Sequence, residues 1–230
     1  MAAQRKLVLL IAVAAALFWR QTSFVGPARS SQSLRGSASS NGAIYRAIDR
    51  EARRQGCTAM QAVGVLFSTQ TGNTETAATK IAEAVGVEAA DIGEYSAEDL
   101  SDFDGLIVGC PTWNTGADEY RSGTAWDDVI DDIKGLSLGG KPVAVFGCGD
   151  SQGYGDNFCD GIEELHETFK AAGAKMIGYV DAGGYGHTES KSDQGGKFLG
   201  LPLDEDNESD QTDERVSSWV AQLKSEGMPL

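Results

Sequence analysis

Several patterns are missing from this 230-residue chain, and each absence closes a class of function. Cys57, Cys110, Cys148 and Cys159 include no CxxC spacing, so neither a zinc site nor an iron–sulfur cluster is indicated. Cys110 and Cys148 each close an apolar run, where a buried free thiol is the ordinary outcome. The apolar stretch LVLLIAVAAALFW, residues 7–19, has 13 residues, short of the roughly 20 that a membrane-spanning helix needs. Cations are scarce over most of the length. Nine of the 19 basic residues but only two of the 34 acidic ones lie in the first 59 positions, leaving ten against 32 and a net −22 from residue 60 onward. A body that acidic repels nucleic acid and steers basic partners. Only two histidines are present. His166 and His187 belong to no motif and are expected on the surface, without a role.

The basic leader divides in two. Arg5 and Lys6 followed by the 13 apolar residues read as a signal peptide over 1–23, because a charged start and a short apolar centre are what the secretory machinery recognises. Residues 24–59 are rich in Ser, Ala and Arg and poor in acids, the composition of a transit peptide and linker. Residues 60–230 form one domain, and 41% hydrophobic residues are enough for a buried core.

That domain alternates in type. MQAVGVLF (60–67), VEAADI (87–92), GLIVGC (105–110), KPVAVFGC (141–148) and KMIGYV (175–180) are short Val- and Ile-rich runs, as expected of strands buried on both faces. Helical stripes separate most of them. Trp126, Val129, Ile130 and Ile133 recur at helical spacing, with Asp127, Asp128, Asp131 and Asp132 opposite; Phe158, Ile162, Leu165 and Phe169 form a second stripe, and Val216, Trp219, Val220 and Leu223 a third. Five strands alternating with helices imply a parallel sheet covered on both sides. Residues 181–197 read as an insertion, after which FLGLPL resumes the fifth strand, since so long a glycine-rich link needs a reason.

The turn after the first strand reads STQTGNT, 68–74, and carries no cation. The helix that follows presents free N–H groups and a positive dipole end, so an anion is its natural guest. Ser68, Thr69, Thr71 and Thr74 add hydroxyls, and Gly72 admits close approach. A Walker A loop would need its lysine and a dinucleotide fold its GxGxxG; both are missing. A monophosphate held by neutral donors fits, with a hydroxyl-rich helix cap as the plainer alternative. Two further loops, GCPTWNTG (109–116) and GCGDSQGYGDNF (147–158), leave the same sheet edge, and each carries a large aromatic, Trp113 and Tyr154. Two aromatics on such loops suggest walls for a flat ring. A phospho-receiver module would need acids at the first strand's end, where VGVLFSTQTG offers hydroxyls.

STQTGNT, PTWNTG and GDSQGYGDNF, together with KFLGLPLDEDNESDQTDERVSSWVAQLKSE (197–226), resemble flavodoxins of the long-chain type. The resemblance implies an α/β three-layer fold with a five-stranded parallel sheet in order 2-1-3-4-5, helices on both faces and an insertion splitting the fifth strand. It also implies non-covalent FMN, with Thr69, Thr71, Gly72, Asn73 and Thr74 binding the phosphate and Ser68 at the turn entrance. Trp113 and Tyr154 would sandwich the isoalloxazine. Asn114, Thr115 and Gly116 would border its N5 edge, Pro111 and Thr112 would also belong to the cofactor site, and Gly149, Asp150, Asn157 and Cys159 would lie along its pyrimidine edge, mostly through backbone. The expected function is a low-potential one-electron carrier working between semiquinone and hydroquinone, not an enzyme. The alternative is a flavin-dependent reductase of the same fold. With a leader like those of algae with secondary plastids, the expected place is the plastid stroma. The expected donor is photosystem I and the expected acceptor ferredoxin–NADP reductase; the protein would be a monomer replacing ferredoxin when iron is scarce.

Overall fold

A computed structural model describes residues 63–112 and 122–230. The leader, the first three residues of the first expected strand, and Trp113, Asn114, Thr115 and Gly116 lie outside the described residues.

Strands β1 (Val63–Phe67), β2 (Ala89–Asp91), β3 (Gly105–Pro111) and β4 (Pro142–Cys148) pair in parallel in the order β2-β1-β3-β4. The outer edge of β4 carries two short segments. β5 (Lys175–Ile177) pairs with Pro142–Ala144, and further along Leu201–Leu203 pairs with Phe146–Cys148, both in parallel. These two pieces are one interrupted fifth strand, which gives the order 2-1-3-4-5. Between them β6 (Val180–Asp181) and β7 (Lys197–Phe198) form a small antiparallel pair; the resumed segment, Leu201–Leu203, is β8.

The interruption is wider than the hydropathy suggests. KMIGYV reads as continuous, yet β5 stops at Ile177 and the strand resumes only at Leu201. The cause is at Gly178, whose N–H donates to Glu226 Oε2 at 2.7 Å and whose carbonyl accepts from Trp219 Nε1 at 2.8 Å. Both polar groups that would continue the ladder are taken by the last helix. β2 is likewise cut to three residues, because Ile92 opens a 3-10 turn capped by the Asp91 side chain.

Helices α1 (Asn73–Val85), α2 (Trp126–Lys134), α3 (Gly161–Ala171) and α4 (Thr212–Glu226) cover the sheet. Most residues of the three predicted stripes are buried, in two cores on opposite faces, while Val129 and Val220 are only partly buried and Phe158 precedes α3. Trp126, Ile130, Ile133, Ile162, Leu165 and Phe169 fill one face; Ala77, Ala78, Ile81, Val216, Trp219 and Leu223 fill the other. Each such large side chain contributes about 1.5–3 kcal/mol through burial. β3 comes close to the aromatic layer at Gly109, where a Cβ would lie 1.9 Å from the Phe146 ring. The same residue's carbonyl accepts the Trp126 indole N–H at 2.9 Å. Parallel pairing of Phe67 with Gly109 and of Pro111 with Cys148 brings the carboxyl ends of β1, β3 and β4 to one edge of the sheet.

Candidate functional site

α1 begins abruptly. Its N-cap is Gly72, at φ 100°, and no side chain caps the helix. Glycine is required there because the left-handed region is costly for other residues. The first-turn N–H groups of Asn73, Thr74 and Glu75 have no upstream helical carbonyl, and they stand at the positive end of the dipole. The hydroxyls predicted as donors divide into two sets. Thr71 and Thr74 line the cleft described below. Thr69 and Ser68 brace the turn instead. Thr69 Oγ1 accepts from Gly72 N at 3.0 Å; buried Ser68 donates to Asp91 Oδ2 at 3.2 Å and accepts from Ala125 N at 3.3 Å.

A cleft of about 770 Å³ opens at this sheet edge, with Thr71, Asn73, Thr74, Thr112, Gly149 and Tyr154 in its wall. Of the other predicted residues, Pro111, Asp150 and Asn157 line it as well. Thr112 Oγ1 donates to the Cys148 carbonyl at 3.0 Å and ties the exit of β3 to the end of β4. Asp150 folds its turn back on itself, accepting from Gly153 N at 2.7 Å, Asn207 Nδ2 at 2.8 Å and Gln152 N at 3.0 Å. The Gly153 amide, followed by the Asn207 amide, holds this carboxyl below the usual range. Tyr154 follows and is 70% exposed, an unusual position for a large aromatic that has no ligand to cover.

Cys159 is placed otherwise. It is buried, at φ 52°, with its thiol 3.5 Å from the Gly147 carbonyl and 3.8 Å from that of Leu203. Its side chain faces the core, and burial pushes the thiols of Cys110, Cys148 and Cys159 up. All three are buried free thiols, and Cys148 also reaches the cleft wall.

Both histidines expected on the surface are packed instead. His166 is buried, with Nε2 2.9 Å from the Tyr179 hydroxyl and Nδ1 3.0 Å from Glu167; burial lowers its pKa against the pull of that carboxylate. The His187 ring stacks on Phe158 at 5.7 Å and 27°. Phe158 is itself covered by the insertion, which is why the histidine is drawn inward.

Three lining residues were not anticipated: Gln70, Cys148 and Asp206. Gln70 Nε2 donates to the Ser122 carbonyl at 2.8 Å, joining the first turn to the segment before α2. Asp206 Oδ2 accepts from Asn73 Nδ2 at 3.1 Å. The signal for Asp206 was available, since a loop leaving the carboxyl end of the resumed fifth strand must reach the same edge. Among the described lining residues the charged ones are Asp150 and Asp206, and no cation is present. Among the described residues no group of three or more His, Cys, Asp or Glu is placed to hold a metal ion, and no helix is long and apolar enough to cross a membrane. The arrangement suits a flat, partly apolar guest with an anionic end directed at α1.

Residues 65–219 match the family model described as flavodoxin. A flavodoxin of Picosynechococcus sp. is 47% identical over 169 residues, covering 72% of this chain and 97% of that one. A flavodoxin of Nostoc sp. is 46% identical over 167 residues, 71% of this chain and 96% of its own. Among solved structures, the Fusobacterium nucleatum flavodoxin bound to flavin mononucleotide superposes with a TM-score of 0.65 at 27% identity, covering 71% of this chain and 97% of that one. With the sheet order, the uncapped α1 and the loops at one edge already in place, the chain belongs to the flavodoxin family.

Proposed function

We propose that this chain is an FMN-based electron carrier, not an enzyme, and that the cleft at the carboxyl edge of the sheet is its cofactor site. The observation that carries the reading is the uncapped N-terminus of α1 opening on the same cleft that the exposed Tyr154 walls. In this reading the N–H groups of α1 with Thr71, Asn73 and Thr74 receive the phosphate, while Thr69, Ser68 and Gly72 shape the turn. Tyr154 and Trp113 are the two faces of the ring pocket. Pro111, Thr112, Asn114, Thr115 and Gly116 border one edge of the ring, and Gly149, Asp150, Asn157 and the Cys159 backbone the other. When bound, FMN supplies one-electron transfer in two steps.

The protein's part is to bind, orient and bias. Asp150 and Asp206 are the charges in the described wall, and residues 60–230 carry a net −22. Negative charge around the site opposes adding electrons, so the carrier works at low potential. We read the interrupted fifth strand as that of the long-chain type. The leader of 1–59 supports import into a plastid stroma like those of algae with secondary plastids. There the donor is photosystem I and the acceptor ferredoxin–NADP reductase, with the protein a monomer replacing ferredoxin when iron is scarce. The acidic body supports basic docking faces on those partners.

The purified protein tests the core of this reading, since it should be yellow and hold about one FMN per chain. A folded, colourless protein that takes up no FMN ends it. Residues 1–59 fused to a fluorescent protein test the destination, for which any signal outside plastids is contrary. Electron-transfer rates that do not fall with added salt would remove the steering argument.

A further inference from the structure

The 204–207 turn brings a carboxylate to the positive end of α1. The turn is fixed from below by Asp204, a fully buried acid that accepts from Ser151 N at 2.9 Å, Asn207 N at 2.9 Å and Asp206 N at 3.2 Å. The backbone of Asp206 therefore has a set position, while its side chain is exposed and in the cleft wall. Its Oδ2 takes an amide hydrogen from Asn73, the first residue of α1. Other acids at this end are differently engaged. Glu205 accepts the Thr212 hydroxyl and Asp213 pairs with Lys80, the lysine of α1. Glu75 lies in the first turn of α1 and is exposed. Asp206 is thus a carboxylate from outside the helix, bonded to the helix's first side chain and sharing the cleft wall with Asn73 and Thr74.

An anion beside an uncapped N-terminus is favourable when it is alone, and unfavourable to a second anion arriving at the same place. We infer that Asp206 is a counter-anion built into this site: it steadies α1 in the apoprotein and competes with the phosphate for Asn73 and for the helix end. It thereby lowers affinity for phosphate-bearing flavin while leaving recognition of the oxidised ring unchanged. The inference rests on the FMN reading for its ligand. It concerns the phosphate end alone, where Asp206→Asn removes the charge and leaves an oxygen that still accepts from Asn73.

The test measures binding of FMN and of riboflavin, which lacks the phosphate, to the wild-type and Asp206→Asn apoproteins, together with the melting temperature of each with and without inorganic phosphate. The variant is expected to bind FMN about three- to tenfold more tightly, the effect of one charge at partly exposed separation, with riboflavin unchanged. Its apoprotein should melt about 1–3 °C lower, and phosphate alone should stabilise it more than it stabilises the wild type. The FMN gain should shrink at 1 M salt. Asp206→Ala should shift FMN binding in the same direction. FMN affinity that is unchanged or weaker, or FMN and riboflavin tightened equally, overturns the inference. Failure of the wild type to bind either flavin would defeat the FMN reading instead; the phosphate arm would still decide whether Asp206 opposes an anion.

Discussion

The side-chain amide of Asn207 donates to Asp150 Oδ1 at 2.8 Å and at the same time reaches both oxygens of Asp204, at 2.9 and 3.0 Å. One residue of the turn after β8 thus joins the turn that carries Tyr154 to a buried acid beneath it. Asn207→Ala removes these donors and leaves the Asp204 carboxylate to Ser151 and to the backbone N–H groups of the 204–207 turn. A hydrogen bond to a charged group contributes about 1.5–3 kcal/mol. The variant should unfold earlier in urea by that amount and bind FMN several-fold more weakly; unchanged stability would mean that Asn207 is not a strut.

The same acids set a pH dependence. Burial alone would raise the Asp204 pKa, but the donors of Ser151 and Asn207 outweigh it and the net shift is downward from the ordinary 3.8. Asp150 is also lowered. In each case the unfolded chain takes up the proton first as pH falls. The stabilisation is therefore complete above the unfolded value and is lost as pH drops through 3.8 toward the depressed native values. Urea unfolding from pH 6 to pH 3 should show stability declining over the lower part of that range. Asp204→Asn should flatten the decline while lowering stability at pH 6. An acid limb identical to that of the wild type would show that Asp204 does not titrate there.

A glycine in β3 is a packing requirement. A methyl at Gly109 would meet Phe146 Cζ at 1.9 Å and two further ring atoms at 2.3 and 2.4 Å. Because interiors are close-packed, the ring or the strand must move, at about 1–3 kcal/mol or more. Gly109→Ala should destabilise by at least that range, and adding Phe146→Leu should recover part of the loss. A double variant as unstable as the sum of two independent losses would argue that the clash is relieved elsewhere.

The parts of this molecule that sequence could reveal are those governed by local pattern. The buried runs of β1, β3 and β4 and the three helical stripes are read from spacing, because each element meets the core on its own account. They place three loops on one edge, and with them Thr71, Thr74 and Tyr154. What stayed hidden depends on partners far along the chain. Gln70 stands inside the hydroxyl-rich turn, yet its role comes from Ser122, 52 residues away. Ser68 reads as a phosphate donor because a hydroxyl in such a turn is one by type, whereas Asp91 and Ala125 take it up. The break after Ile177 is written in Trp219 and Glu226, not in the apolar run itself. His166 lies inward because Tyr179 supplies a partner for one of its ring nitrogens.

Tyr154 separates recognition of the ring from that of the phosphate. It is the large aromatic most exposed among the described residues, 70% against 38% for Tyr179, and its backbone is held by Asp150, whose carbonyl accepts its N–H at 3.0 Å. The turn therefore keeps its shape whatever side chain stands there. An aromatic stacked on a flat ring contributes about 0.5–1.5 kcal/mol beyond its area, so Tyr154→Ala should weaken FMN and riboflavin alike, by roughly three- to tenfold or somewhat more once lost area is included. Tyr154→Trp should retain most of the affinity. The equality of the two ligands is the informative part: a residue facing the ring cannot sense the phosphate, whereas one at the α1 end must. Loss confined to FMN would place Tyr154 against the phosphate and reverse the orientation of the cofactor in the cleft.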